Sequence, residues 1–249
     1  MNKDNIINED KLRIEVTNKF IPYLKTMFDI HGDNLVSVFV YGSATGENYI
    51  PKVSDINSVF VFKKLEFAIF RSSLNVISKG IPKKIAAPLF LTKDYINSSL
   101  DVFPIEFLDM KENYILLYGE DVLSGLEIKG EHIRLFCEQQ IKGKLIRIRQ
   151  AYLEVGLKKK GLEALLKESL NALIPIFRNL VRLKGSQPAV KKTEIISQLC
   201  QMFELDENVF LPIYKDSTND ERIANQEVSV FLDKYLSQIE KLAMVVDKL

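Results

Sequence analysis

Apolar residues recur at every fourth position near the start of the chain, at Leu12, Val16, Phe20, Leu24 and Phe28. This spacing follows the 3.6-residue turn of an α-helix and predicts an amphipathic helix over residues 10–31. Glycine commonly follows the last residue of a helix, so Gly32 is expected to end this one. We therefore expect the apolar face of this helix to pack against a core.

Short runs of β-branched and aromatic residues follow, separated by turn-forming residues. They predict four strands, at residues 35–41, 55–62, 85–91 and 103–110. Helices are predicted between them, near residues 65–79 and 92–99. This alternation predicts an α/β or α+β domain that ends near residue 128.

Beyond residue 130 the apolar spacing is helical. It predicts one long helix over residues 131–154 and a second one that Pro175 should kink. Two more helices are predicted at residues 190–203 and 225–247. We therefore expect two domains, one of residues 1–128 that holds the strands and a helical bundle of residues 129–249.

The composition narrows the class of protein. The sequence is 47% hydrophobic and 27% charged, as in soluble globular proteins, and no apolar run approaches the roughly 20 residues that span a bilayer. The first fifteen residues lack the basic start and apolar stretch of a secretory signal. The two cysteines, Cys137 and Cys200, make no disulfide framework. We expect a cytoplasmic protein with no membrane partner and with buried core thiols.

Charge is balanced over the whole chain but not along it. The formal net charge of +1 argues against strong nucleic-acid binding, because such binding depends on neutralising phosphates. Residues 1–128 hold 14 basic and 17 acidic side chains (net −3), residues 129–192 hold 15 and 5 (net +10), and residues 193–249 hold 5 and 11 (net −6).

Two interpretations of the basic middle segment are open. In the first, its basic residues pack near the acidic tail and face solvent. In the second, they form a basic wall for a polyphosphate. The residues concerned form a stripe on the predicted helix, at Arg134, Lys142, Lys144, Arg147 and Arg149.

Polar residues gather where two predicted strands meet a turn. Gly42 and Ser43 follow strand 35–41, and Asp55 and Asn57 open strand 55–62. Because side chains alternate along a strand, Asp55 and Asn57 point to the same side. Glycine lets backbone N–H groups approach a phosphate, serine adds a hydroxyl, and carboxylate oxygens suit magnesium. The group predicts a phosphate and cation site, with a plain turn between strands as the alternative.

A magnesium site of this kind needs a further acid, and predicted strand 103–110 offers Glu106. If that strand pairs beside strand 55–62, Glu106 reaches the same cation. The cation would then be the partner that the Glu106 carboxylate needs among apolar strand neighbours. The alternative is an acid on an edge strand that points to water.

Together these residues resemble the nucleotidyltransferase fold superfamily, which includes polymerase-beta-like, minimal and antibiotic nucleotidyltransferases. The family pattern is Gly-Ser, a short spacer, Asp-x-Asp at the opening of the next strand, and a third acid on a later strand. Here eleven residues separate Gly42-Ser43 from Asp55-Ile56-Asn57, and Glu106 stands in the third acid's place. The resemblance covers roughly residues 10–125.

The resemblance implies an α+β fold with a mixed sheet and flanking helices, and it implies roles for the residues. Gly42 and Ser43 would hold the outer phosphates of a nucleoside triphosphate. Asp55, Asn57 and Glu106 would bind Mg²⁺ and act in catalysis. The reaction would transfer a nucleotide, with AMP expected, to a hydroxyl of a small molecule or a protein.

The sequence departs from the family pattern at Asn57, where the family has a second aspartate. An amide oxygen carries no charge, and a unit-charge pair at 4 Å is worth about 4 kcal/mol at an effective dielectric constant near 20. Magnesium is therefore expected to bind weakly. Three hypotheses stay open. The first is a metal-dependent nucleotidyltransferase, and the second is a catalytically weak or inactive nucleotide-sensing or partner-binding module of the same fold. The third is a purely structural helical adaptor whose N-terminal domain binds nothing.

Other chemistries have little support. His31 and His132 are the two histidines of the chain, too few for a histidine-rich metal site and poorly placed for a Ser-His-Asp site. Arg178-Asn179 begins a motif that resembles that of HEPN ribonucleases, but the histidine that should follow is missing. The acceptor, the nucleotide and the oligomeric state are not fixed by the sequence.

Overall fold

The computed structural model describes residues 6–47, 49–155, 159–218 and 228–249. The chain divides into two compact units, Met1–Ile128 and Lys129–Leu249. The first combines helices with a sheet and the second is helical. The fold class is therefore α+β, as predicted.

Within the described residues, the sheet of the first unit has four strands in the spatial order β3-β2-β1-β4. The strands are β1 (Leu35–Tyr41), β2 (Asn57–Phe62), β3 (Leu89–Thr92) and β4 (Tyr114–Gly119). Strand β1 is antiparallel to β2 and to β4, whereas β2 and β3 are parallel. The sheet is therefore mixed, with β3 and β4 at its two edges.

Helices cover both faces of this sheet and create two apolar clusters. They are α1 (Ile14–His31), α2 (Phe67–Gly80), α3 (Lys93–Ser98) and α4 (Pro104–Glu112). Alternation along β2 directs Phe60 and Phe62 to the cluster with α1 and α2. It directs Val59 and Val61 to the opposite cluster, which contains Phe107 of α4. Each face of the sheet is thus buried by its own helices.

Residues 103–110 form most of helix α4, so the strand predicted there is wrong. Pro104 stands in the first helical turn, where its fixed φ and missing N–H are tolerated. Phe107 and Met110 are both buried, and their spacing of three places them on one side of a helix. The strand on this part of the chain is β4, directly after α4.

Among the described residues, the helices of the second unit pack around one central helix, α6 (Lys159–Leu183). The other four are α5 (Gly130–Val155), α7 (Lys192–Phe203), α8 (Glu207–Ser217) and α9 (Val228–Val246). Helix α6 contacts each of the other four. The predicted start of the last helix, at residue 225, lies outside the described residues. Among the helices described, none combines the length and apolar character needed to cross a membrane.

Basic residues of α5 pair with acidic residues at the end of the chain. Arg149 lies 2.6 Å from Glu240, and Lys142 lies 3.2 Å from Asp247. Arg134 pairs with Glu138 of its own helix at 2.8 Å. These contacts support the first interpretation of the basic segment, in which it packs near the acidic tail.

Both cysteines are buried and free, which confirms that they are core thiols. Burial raises the pKa of Cys137 and that of Cys200 to about 12. Neither side chain is therefore a reactive thiolate near neutral pH.

Gly119 ends β4 where this strand runs very close to β1. Its φ of +77° lies in the left-handed region, which favours glycine. A Cβ atom at this position would stand 1.9 Å from the carbonyl oxygen of Val36. No side chain fits here unless the backbone of one strand moves.

We predict that Gly119→Ala lowers the free energy of unfolding of the first unit by about 3 kcal/mol, because backbone strain and overpacking each cost about 1–3 kcal/mol. Gly125→Ala is the matched control, since a Cβ there meets no atom within 4 Å. Urea titration, with hydrogen exchange of the β1 and β4 amides as the readout, measures the stability of both variants. Equal stability of the two variants would contradict the steric explanation.

His31 ends α1 in an aromatic pocket. Its Nε2 lies 2.8 Å from Ser73 Oγ, which also lies 2.8 Å from the Ile69 carbonyl oxygen. The ring meets Phe62 and Phe90 edge-on, at centroid distances of 5.2 and 6.3 Å. Burial lowers the pKa of His31.

We predict that the stability of the first unit falls as the pH drops below about 6.5, the pKa of an unfolded histidine. The lowered folded-state pKa means that the unfolded chain binds more protons in this window. The stability that neutral His31 contributes is complete above pH 6.5. It is lost as the pH falls toward the lower pKa of His31 in the folded state. NMR titration of His31 measures the shift, and His31→Gln should flatten the pH dependence of stability. An unchanged slope in that variant would refute this explanation.

Candidate functional site

Four of the predicted phosphate and cation residues lie at one edge of the sheet, at the strand ends where β1 ends and β2 and β4 begin. Tyr41, the last residue of β1, pairs with Asn57 of β2 and with Tyr114 of β4. Gly42 and Ser43 follow Tyr41, and Asp55 stands two residues before Asn57. We call this region, from Tyr41 to Thr45 with Asp55–Asn57 and Tyr114, the site edge.

The Gly-Ser segment forms a tight turn. Gly42 has a φ of +75° and begins a 3-10 helix, Gly42–Thr45. The Gly42 N–H donates to the carbonyl of Asn113 at 2.9 Å, and Thr45 Oγ1 donates to the carbonyl of Gly42 at 2.8 Å. Because the Gly42 N–H already has an acceptor, this group is not available to a phosphate. The contribution of Gly42 is the turn conformation, and the half-buried Ser43 carries the hydroxyl.

The far side of this turn is fixed by Arg13, which stands just before α1. Its Nε donates to the carbonyl of Gly46 at 3.1 Å, and its Nη2 donates to that of Glu47 at 3.4 Å. A guanidinium that holds two successive carbonyls restricts the loop. The turn is therefore tied to both α1 and the segment before β4.

Asn57 lies directly beside the turn. Its Nδ2 is 3.8 Å from the point where a Cβ on Gly42 would stand. Along β2, Asn57 shares its side with Val59 and Val61, which are fully buried in the cluster under α4. The structure thus brings the amide of Asn57 and the Gly-Ser turn together, at the border of the core.

Asp55 pairs with a lysine that the sequence analysis did not identify. Lys84 Nζ lies 3.6 Å from Asp55 Oδ1. The backbone fixes their proximity, because the Ile56 N–H donates to the Lys84 carbonyl at 2.7 Å and Ile56 forms a parallel bridge with Ile85. The two side chains are 43% and 55% exposed, so the pair itself adds little stability.

Glu106 does not stand where the sequence analysis placed it. It lies in the first turn of α4, whereas Asn113, which caps the other end of α4, contacts the Gly-Ser turn. At 1.5 Å per residue, seven residues separate the two by about 10 Å along the helix. The strand that lies beside β2 is β3, and residues 85–92 (IAAPLFLT) hold no acid. The predicted strand with Glu106 therefore does not lie beside β2.

The residues of the site edge do not fit a two-magnesium centre. Such a centre holds two ions roughly 3.5–4 Å apart, and hard cations prefer charged oxygen ligands. Asp55 supplies one carboxylate, with an ammonium group beside it, and Asn57 supplies a neutral oxygen. Across the part of the chain that the structure describes, no three His, Cys, Asp or Glu side chains form a metal-binding group.

Tyr114 is a further residue of the site edge that the sequence analysis missed. Its hydroxyl lies 2.8 Å from both carboxylate oxygens of Asp121. Burial and the Asp121 carboxylate raise the pKa of Tyr114 to about 12, so the phenol stays protonated. A tyrosine at the start of a strand is common, and no local pattern in the sequence links it to Asp121.

Comparison with known proteins adds little to this geometry. No family model matches the chain, and no curated protein matches it. Among solved structures it is similar to a crystal structure of spectinomycin adenyltransferase AAD(9) from Enterococcus faecialis with ATP and spectinomycin. That similarity has a TM-score of 0.49 and 14% identity, and it covers 88% of this chain and 98% of that one. Similarity at this level does not establish a shared fold or activity.

Proposed function

We propose that this protein binds the phosphate groups of a nucleotide at the site edge and transfers no nucleotide at an appreciable rate. This is the inactive, nucleotide-sensing form of the nucleotidyltransferase-like hypothesis. The observation that carries it is the Asp55–Lys84 pair at 3.6 Å, because an ammonium group beside Asp55 offsets the negative charge that would attract a metal ion.

Phosphate binding is supported by the groups that the site edge presents. Ser43 offers a hydroxyl in the turn after β1, and Lys84 offers an ammonium beside the start of β2. Lysine is a common phosphate ligand that acts as a point charge. A phosphate oxygen can replace Asp55 as the partner of Lys84, because an exposed ion pair is weak.

The absence of transfer is supported by the charge at the same place. With Asn57 neutral and Lys84 beside Asp55, the net charge of these three side chains is zero, so their attraction for a divalent ion is reduced. Magnesium would then enter as a counter-ion of the triphosphate, with few ligands from the protein. The side chains here provide binding and orientation for an anion.

The second candidate is the metal-dependent transferase, with Asp55, Asn57 and Glu106 as Mg²⁺ ligands and with AMP transferred to a hydroxyl of a small molecule or protein. One observation favours it, namely that the Asp55 side chain is 55% exposed. A divalent ion would therefore displace Lys84 from Asp55 at little cost. It requires Glu106 to reach the site edge from the first turn of α4.

We predict that ATP binds with a dissociation constant that changes less than about threefold between magnesium and EDTA. Lys84→Met should weaken binding about tenfold or more, since hydrogen bonds to charged groups are worth about 1.5–3 kcal/mol. Asp55→Asn should preserve or strengthen binding, because it frees Lys84. Isothermal titration measures all three, with the exposed Lys25→Met as the matched control. Binding that needs magnesium and is lost in Asp55→Asn would contradict the proposal.

We also predict that no label passes from ATP labelled at its α-phosphate to any acceptor in a cell extract. The reason is that a two-metal displacement lacks its charged ligands here. Transfer is followed by gel and thin-layer chromatography, with heat-treated protein as the control. Transfer that depends on magnesium and is abolished by Glu106→Gln would establish the second candidate instead.

A further inference from the structure

Helix α2 and the segment after it expose a stripe of large apolar side chains. The exposed fractions are 74% for Phe67, 41% for Phe70, 61% for Leu74 and 57% for Ile81. Isolated apolar residues on a surface are ordinary, but a contiguous patch indicates an interaction site. The question is whether these four form such a patch.

The three residues within α2 have their side chains on one side of the helix, and Ile81 directly follows its last residue. At about 100° per residue, they fall within a sector of about 60°, next to the side that faces the core. That inner side includes the buried Ser73 and Gly80. The ring of Phe70 also contacts Phe90 of β3, with a centroid distance of 5.5 Å. The stripe therefore borders β3, and we call these four residues the α2 stripe.

Strand β3 is an open edge. In the part of the chain that the structure describes, β3 pairs with β2 on one side and with no strand on the other. Leu89 of this strand is 40% exposed. The backbone groups along such an edge can pair with an added strand. The α2 stripe and the β3 edge thus form two adjoining sides of one surface.

The charge around this surface is strongly one-sided. Residues 61–93 contain seven basic side chains and one acidic one, Glu66, whereas the rest of residues 1–128 holds seven basic and sixteen acidic ones. The seven are Lys63, Lys64, Arg71, Lys79, Lys83, Lys84 and Lys93, of which Lys84 already pairs with Asp55 and Lys93 with Glu120. Arg71 lies over the ring of Phe67 at 5.7 Å, within the α2 stripe itself. A partner should therefore be acidic, and a symmetric dimer through this surface would bring positive charge against positive charge.

We propose that the α2 stripe and the β3 edge bind an acidic, extended segment of a partner protein. The segment adds a fifth strand beside β3, and its alternate apolar side chains rest on Phe70 and Leu74. Its acidic side chains face the surrounding lysines and Arg71. The open strand edge favours a polypeptide over an anionic membrane, because a second backbone pairs with the N–H and C=O groups of β3 and lipid headgroups do not. Apart from Lys84, the residues named for this surface are not those of the nucleotide site.

The test uses the full chain and a defined probe, a fluorescein-labelled nine-residue peptide in which glutamate alternates with valine. We expect saturable binding by fluorescence anisotropy that weakens as salt is raised, since charge attraction is screened. Phe70→Ser and Leu74→Ser should each weaken binding about tenfold, the effect of losing one buried large apolar side chain. Asn75→Ala, an exposed change elsewhere on α2, is the matched control and should leave binding unchanged. Circular dichroism verifies that every variant is folded.

Two complementary N-methylated forms of the peptide test strand addition directly, since each blocks the N–H groups along one of its edges. We expect one form to lose binding and the other to keep it. The proposal is overturned if both forms bind like the parent peptide, or if a peptide with lysine in place of glutamate binds as tightly. It is also overturned if the peptide does not bind at all. In that case, loss of self-association in sedimentation, or of binding to phosphatidylserine vesicles, in Leu74→Ser would identify the other occupant.

Discussion

The first unit depends on the pairing of β1 with a strand on each side. Tyr41 is matched with Asn57 on one side and with Tyr114 on the other, and this double register brings the Gly-Ser turn and the mouths of two strands to one edge. At the opposite end, the same pairing draws Gly119 against Val36. A slip of one residue in either ladder would turn every side chain of that strand to the other face. The site edge and the core are therefore set by the same contacts.

Much of the scaffold could be predicted because its signals are local. The bounds of β1, the helix that ends at Gly32, the buried thiols and the pairing of α5 with acidic residues follow from spacing, turn residues and charge. The predicted strand at residues 103–110 was wrong because a short apolar run fits a strand and a helix equally well. Its state is decided by packing, with Phe107 and Met110 buried against the sheet.

The candidate site was predicted less completely, for a physical reason. Lys84 reaches Asp55 only because Ile56 pairs with the segment at Ile85, and no spacing within the sequence encodes that parallel contact. The same pairing shows that the segment beside β2 lacks an acid. Asn57, by contrast, was identified from sequence, because the departure from an acidic pair is visible without coordinates. Sequence thus indicated where the polar groups meet, and the fold determined which charges stand beside them.

The hydrogen bond from the Gly42 N–H to the Asn113 carbonyl joins the turn to the end of α4. One residue added to or removed from α4 would rotate that carbonyl by about 100° and leave the turn without its acceptor. Descendants of this sequence should therefore keep the length of α4 constant. Insertions and deletions would be better tolerated before α4, at the exposed residues 101–103.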